Sequence, residues 1–229
     1  MNAKKTVFVV AAVAGLVQGL AEPKCDLRGC AAESADAAIS NGRANSVRIE
    51  TLSAGWTFRS EGETAERSVC VPHDWGIESG FLKTGTCPAQ GDLPFVGKGF
   101  YRRAFDGFTP PPGGRTYLTL DGVQCRSVVK LNGKAVGGRP FGYASETIDV
   151  TGALKDSGNV LEVEAENVPA SSRWYPGSGI FRDVTVRVCP PDHVKPNTLF
   201  VRTIEANEKS AQVAVSFEWR GGSRRCRYL

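Results

Sequence analysis

The chain has 229 residues, 41% hydrophobic and 23% charged, enough to bury the core of one large or two small globular domains. Its 28 basic and 24 acidic residues are interspersed, with a local basic excess only from Arg220 to Arg227. The net charge of +4 therefore forms no phosphate-tracking stripe, and nucleic acid is excluded as a partner.

The N-terminus reads as a targeting signal. Lys4-Lys5 precedes an apolar run from Thr6 to Val17, and Gly19-Leu20-Ala21 follows as a small-x-small cleavage site. Residues 1–21 are read as a signal peptide removed after Ala21, which places the chain in a secreted or periplasmic location without a membrane anchor. The competing reading is a retained anchor, against which the run is short. Cys25 and Cys30 follow soon after, but Pro23-Lys24 and Arg28-Gly29 give neither a lipidation context.

All seven cysteines lie beyond the cleavage site, so they meet an oxidising compartment. Cys25 with Cys30 and Cys70 with Cys87 are the local pairing candidates, and spacing does not fix connectivity. Cys125 and Cys189 read as small buried hydrophobes. With two histidines and no doubled C-x-x-C, no metal is expected, and no cofactor either.

Residues 22–48 are rich in Ala, Ser, Asp and Gly without a sustained period, and read as a poorly ordered leader with a short helix at most from Ala31 to Ile39. From Leu52 onward short runs alternate with Gly, Pro, Asn and Asp, the texture of an all-β sandwich or barrel. Strands are expected at Thr57–Arg59, Arg67–Val71, Gly99–Phe105, Thr116–Asp121, Ser127–Leu131, Glu146–Asp149, Val160–Glu166 and Phe181–Val188. Period-2 alternation sets Leu118 and Leu120 against Tyr117 and Thr119, and Leu161, Val163 and Ala165 against Glu162, Glu164 and Glu166. The row of glutamates reads as a solvated face, because nothing in the spacing separates the pKa of one carboxyl from the next.

Two turns are written plainly. Asn132-Gly133 supplies the positive φ angles of a primed hairpin turn, and Pro110 to Gly114 marks an exposed loop. In Val71-Pro72-His73-Asp74-Trp75 a strand ends, Asp74 is placed to accept backbone amides, and Trp75 folds onto the core. His73 has no nucleophile motif beside it and reads as structural.

Ser171 to Val184 is the most informative stretch. Arg173, Trp174 and Tyr175 are large planar groups suited to stacking and to forked hydrogen bonds, and Pro176, Gly177 and Gly179 punctuate the turn that carries them. Two readings stand at this point: a displayed ligand loop, or a plug of aromatics closing the end of a sandwich core. Asp74 and Asn167 are secondary candidates. Beyond Val188, Pro190-Pro191 reads as a linker, and the β texture restarts from Asn197 to Trp219 with Ala211, Val213, Val215, Phe217 and Trp219 on one face.

Taken in order, Val71-Pro72-His73-Asp74-Trp75, Gly97-Lys98-Gly99-Phe100-Tyr101-Arg102-Arg103, Leu120-Asp121-Gly122-Val123, Leu131-Asn132-Gly133-Lys134, Arg139-Pro140-Phe141-Gly142-Tyr143, Asp149-Val150-Thr151 and Ser171 to Val184 resemble the N-terminal sugar-binding domain of glycoside hydrolase family 2, the β-galactosidase and β-glucuronidase group. The resemblance implies a jelly-roll sandwich of the galactose-binding-domain kind over 49–189. It also implies the start of an immunoglobulin-like sandwich over 190–229, with fewer strands than the roughly seven such a domain needs, so that a truncation or altered frame near residue 220 is expected.

The family's two catalytic glutamates lie, by resemblance, on a barrel of about 250 residues further along, so no catalytic residue is assigned here. The resemblance makes Arg173, Trp174 and Tyr175 the binders of a terminal β-linked sugar, while Ser172-Arg173, where some β-galactosidases have an aspartate, leaves galactoside specificity open. Two readings of function follow: the carbohydrate-binding domain of a family 2 glycosidase, inactive without its barrel, or a free-standing secreted carbohydrate-binding module. A sandwich with no ligand is the third.

Overall fold

A computed structural model describes residues 4–9, 46–78, 97–167, 177–207 and 211–221. The strands, in chain order, are β1 (Lys4–Val9), β2 (Arg48–Thr51), β3 (Trp56–Ser60), β4 (Arg67–Val69), β5 (Gly97–Phe105), β6 (Arg115–Leu120), β7 (Val128–Leu131), β8 (Lys134–Gly137), β9 (Glu146–Asp149), β10 (Asn159–Asn167), β11 (Val184–Cys189), β12 (His193–Val194), β13 (Phe200–Ala206) and β14 (Ala211–Arg220). Among the described residues, one short helix, α1 (Trp75–Glu78), and a 3-10 turn at Thr151–Ala153 interrupt them. The protein is all-β, and its contacts divide it between Pro190 and Pro191 into a unit holding β2 to β11 and a unit holding β1 with β12 to β14.

The larger unit is a sandwich of two antiparallel sheets. One has six strands in the order β4-β3-β5-β10-β7-β8, the other four in the order β2-β11-β6-β9. Alternation explains why these segments pair this way round, because a one-residue slip would turn every apolar side chain outward. Along β10, Leu161, Val163 and Ala165 are fully buried, whereas Glu162, Glu164 and Glu166 are half-buried on the opposite face. Trp56, Phe58, Tyr101, Leu131, Leu161, Ile180 and Val184 fill the space between the sheets, each contributing about 1.5–3 kcal/mol by burial.

The Asn132-Gly133 pair turns as its sequence demands. Asn132 has φ 55° and Gly133 φ 79°, so β7 and β8 close on a two-residue loop with Leu131 opposite Lys134. The Asn132 side chain then bonds Val160 N at 3.0 Å and Ala153 O at 2.7 Å, tying the hairpin to β10 and to the 3-10 turn.

Several expectations need adjustment. β2 begins at Arg48, inside the stretch read as leader, and pairs with β11; four exposed residues give it no burial period to read. Tyr117 is as buried as Leu118, although it lies on the other face of β6. β11 starts at Val184 rather than Phe181 because Gly179, at φ 95°, and a Phe181 N to Gly179 O bond keep the chain turning before the ladder begins.

In the smaller unit β13 pairs with β14 through a bulge between Thr203 and Glu205, and β12 pairs with Trp219 and Arg220 of β14. β1 falls inside the stretch read as a signal peptide, yet here it lies antiparallel to β14 with Lys4 opposite Glu218, a pairing that removal of residues 1–21 would leave open. All seven residues of β13 are exposed. The expected helix at Ala31–Ile39 and the cysteines at 25, 30, 87 and 226 lie outside the described residues. Cys125 is buried and donates to Glu166 O at 3.0 Å, and burial pushes the Cys189 thiol pKa up.

Candidate functional site

Two turns converge at one end of the sandwich. The first runs from Val71 to Glu78. Val71 N bonds Ser53 O at 2.8 Å and His73 N bonds Ile180 O at 2.7 Å, so the turn is tied at both edges to backbone. Asp74 caps α1 by accepting Gly76 N at 2.9 Å, and its carboxylate takes the amides of Ile77 and Ser178 as well. Burial nonetheless raises its pKa, outweighing those amide bonds and the nearby His73.

His73 is structural. Its Nε2 lies 3.0 Å from Glu78 Oε1 and its Nδ1 2.7 Å from the Tyr101 hydroxyl. A carboxylate only accepts, so Nε2 carries the proton, and Nδ1 takes the hydrogen of Tyr101. Burial lowers the His73 pKa against the pull of Glu78, and burial also pushes the Tyr101 phenol far above its usual range. Glu78 is drawn down, since its hydrogen bond to Arg67 and the fields of Arg67 and His73 overcome its own desolvation. The network is neutral at its core and paired at its rim, which suits a fixed scaffold rather than a proton shuttle.

The second turn runs from Gly177 to Phe181 and is closed by glycine. At Gly179 a β-carbon would lie 2.1 Å from the Tyr101 oxygen and 2.9 Å from the Trp75 ring, so nothing larger than hydrogen fits there. Gly179 and Gln124 exchange both backbone bonds at 2.9 Å, and Trp75 stacks on Phe58 at 5.5 Å beneath them. Ser178 is fully buried; its hydroxyl takes the Asn167 amide and its own N–H reaches Asp74.

The consequence concerns residues 168–176. Asn167 immediately precedes that stretch and Gly177 and Ser178 immediately follow it, and the Asn167 amide bridges the two ends, reaching Gly177 O at 3.5 Å as well. Arg173, Trp174 and Tyr175 themselves lie outside the described residues. Asn167 and Asp74, the secondary candidates from sequence, are brought together at the base of that stretch through Ser178, whose part in this the sequence did not signal.

Beside the base opens a cleft of about 420 Å³ lined by Pro72, His73, Asp74, Ile77, Tyr143, Gly177 and Phe181. Tyr143 and Phe181 form one wall, their rings 4.9 Å apart, with the Arg182 guanidinium 5.6 Å and 5.2 Å from their centres. Tyr143 stood in the Arg139-Pro140-Phe141-Gly142-Tyr143 motif, and Phe181 in the stretch from Ser171 to Val184, but spacing alone did not bring the two together.

A second, smaller concavity of about 240 Å³ lies on the outer face of the six-stranded sheet, among Arg59, Phe100, Arg102, Lys130, Glu162 and Glu164. There Lys98 pairs with Glu164 at 2.8 Å and Arg126 lies 3.8 Å from Glu166, and Glu162 sits in register between Arg102 and Lys130. The glutamates of β10 thus belong to a cross-strand charge lattice. Among the described residues no group of three His, Cys, Asp or Glu side chains is placed to hold a metal ion.

No family model matches the chain. A Formosa agariphila protein named putative β-glucuronidase is 35% identical over 159 residues, covering 69% of this chain and 15% of the relative. A β-galactosidase of Bacteroides ovatus is 37% identical over 147 residues, covering 63% of this chain and 17% of the relative. The chain therefore spans about a sixth of the length of these curated relatives. Among solved structures, a β-glycosidase from Bacteroides vulgatus superposes with a TM-score of 0.67 at 29% identity, over 78% of this chain and 25% of that one. A glycosyl hydrolase family 2 member from Bacteroides cellulosilyticus, at 24% identity and TM-score 0.64, shares the fold over 75% of this chain and 24% of its own.

Proposed function

The sandwich belongs to glycoside hydrolase family 2, and from that premise we propose that the chain binds a terminal β-linked sugar through Arg173, Trp174 and Tyr175 and does not by itself cleave it. The observation that carries the reading is the clamp at the base of residues 168–176. Asn167 joins the two ends and Asp74 fixes Ser178 from the other side, so whatever the stretch presents is presented from a rigid frame. Arg173 donates to sugar hydroxyls and Trp174 gives the apolar face of the ring a surface to stack on.

Cleavage requires two carboxyl groups roughly 5 Å apart across the glycosidic bond in a retaining enzyme, one of them held protonated. Glu164 and Glu166 are instead engaged with cations on an open sheet face. The family resemblance puts the hydrolytic pair on a barrel, which the sandwich serves as the sugar-binding part of a longer β-galactosidase-like or β-glucuronidase-like enzyme. Lys4-Lys5, the apolar run to Val17 and Gly19-Leu20-Ala21 assign the chain to export into the periplasm or medium.

Calorimetric titration of the purified chain with methyl β-galactoside and methyl β-glucuronide tests the binding reading. Saturable binding that falls at least about tenfold in Arg173→Ala, as expected on losing a charge-assisted hydrogen bond, supports it; binding untouched by Arg173→Ala and by Trp174→Ala refutes it. Export is checked by mass spectrometry of the protein recovered from outside the cytoplasm, whose first residue is expected to be Glu22.

A further inference from the structure

We propose that the cleft between the Pro72–Ile77 turn and the Tyr143–Phe181 wall is a subsite for a neutral pyranose ring, an inference that rests on the carbohydrate reading above. A pyranose has two apolar faces of C–H groups and a polar edge of hydroxyls, and the cleft offers a partner to each.

The faces meet apolar surface on both sides. Tyr143 and Phe181 supply one wall, 4.9 Å apart and tilted by 41°, and Phe141 extends that wall at 6.1 Å from Tyr143. Pro72 and Ile77 supply the other. Ile77 is 67% exposed and Phe141 45% exposed. An isolated exposed apolar side chain is ordinary, but here Ile77 lines a concave site of about 420 Å³, within the size range of small-molecule pockets.

The edge meets Asp74. Gly76 N donates to Asp74 Oδ1 at 2.9 Å, and the amides of Ile77 and Ser178 also favour the charged carboxylate. Asp74 lines the cleft as an acceptor, and a sugar hydroxyl is a donor that matches it. Gly177 keeps that approach open, because a β-carbon there would sit 3.3 Å from Asp74 Oδ2.

Charge sets the class. Of the described residues lining the cleft, His73 is driven toward its neutral form by burial, against the pull of Glu78, and Asp74 is the one carboxylate. A uronate carboxylate would meet a like charge and no cation among the described lining residues, whereas a neutral hexose meets hydrogen-bonding groups and apolar surface without that repulsion. Two described cations lie near the lining without forming part of it: Arg182 is engaged over the Tyr143 and Phe181 rings, and Arg67 is paired with Glu78 behind His73.

The test uses the full chain and two probes, methyl β-galactoside and methyl β-glucuronide, titrated by calorimetry into wild type, Tyr143→Ala, Tyr143→Phe, Ile77→Ser and Arg173→Ala. Tyr143→Ala is expected to weaken binding of the neutral glycoside about five- to tenfold through the lost stacking surface, and Tyr143→Phe to restore it. Ile77→Ser, at a position too exposed to threaten the fold, is expected to weaken it by a factor of about two to five. The glucuronide is expected to bind more weakly than the galactoside.

Unchanged affinity in both Tyr143→Ala and Ile77→Ser, with loss in Arg173→Ala, overturns the cleft and leaves the loop reading standing. Loss in the cleft variants with Arg173→Ala silent overturns the loop assignment and supports the cleft. Equal or tighter binding of the glucuronide overturns the neutral class, and absence of any saccharide binding overturns both readings.

Discussion

The side-chain amide of Asn167 donates to the hydroxyl of Ser178, eleven positions further along the chain. Between them lies the whole Arg173–Tyr175 stretch, so one hydrogen bond between buried residues fixes the spacing of both its ends. Asn167→Ala leaves the fully buried Ser178 hydroxyl without this partner, which costs about 1–3 kcal/mol. Urea unfolding should show that loss, and sugar affinity should fall in the same variant measured well below its unfolding midpoint. A stable variant with intact binding would mean that the bridge does not position the stretch.

Gly179 is the most constrained position near the cleft. Gly179→Ala would meet the Tyr101 oxygen at 2.1 Å and must also hold φ 95°, so a loss of about 3 kcal/mol or more is expected from strain and overpacking together. Gly62→Ala serves as the contrast. Gly62 also has a positive φ, 85°, but nothing lies within 4 Å of the added carbon, and about 1–2 kcal/mol is expected. Equilibrium unfolding of the two variants checks the ranking, and equal losses would contradict the packing argument.

How much of this was written in the sequence differs from place to place. The sandwich was legible because β10 keeps period 2 and because Asn132-Gly133 is one of the few pairs that turns a two-residue hairpin without strain. β2 was not legible, since an edge strand exposed at all four residues carries no alternating burial. Asp74 as an acceptor of amides followed from its place before Trp75, yet its bond to Ser178 spans two distant turns and no local pattern encodes it. The Tyr143–Phe181 wall was hidden for the same reason: each residue was visible in a motif, but only the folded chain brings the rings to 4.9 Å.

The buried histidine gives the protein an acid-sensitive side. The folded-state pKa of His73 is depressed below its ordinary value of about 6.5, so the unfolded chain binds a proton there more readily than the folded one. The stability this group contributes is complete above about pH 6.5 and is lost as pH falls from there through the folded-state pKa. Glu78, also depressed, adds a loss in the same direction below about pH 4.5, whereas Asp74, raised, opposes it near pH 4. Thermal melts between pH 7.5 and 5 should therefore fall in the wild type and fall less in His73→Asn. Parallel curves would show that His73 is not the group responsible.

The charge lattice on β10 is expected to be functionally silent. Glu164→Gln removes the partner of Lys98, but both side chains are partly exposed, 38% for Lys98 and 26% for Glu164, and such pairs contribute little. The variant should melt within a degree or two of wild type and bind methyl β-galactoside with unchanged affinity. A large loss of binding would move the sugar site onto this sheet face.

Saturation-transfer proton NMR of p-nitrophenyl β-galactoside in the presence of the purified chain bears most directly on the claim that the chain holds a sugar without cutting it. The account predicts transfer onto the sugar ring protons, attenuated in Arg173→Ala, with the anomeric signal of the intact glycoside constant over the experiment. Release of p-nitrophenol at a rate proportional to protein concentration, or no transfer at all, would contradict it.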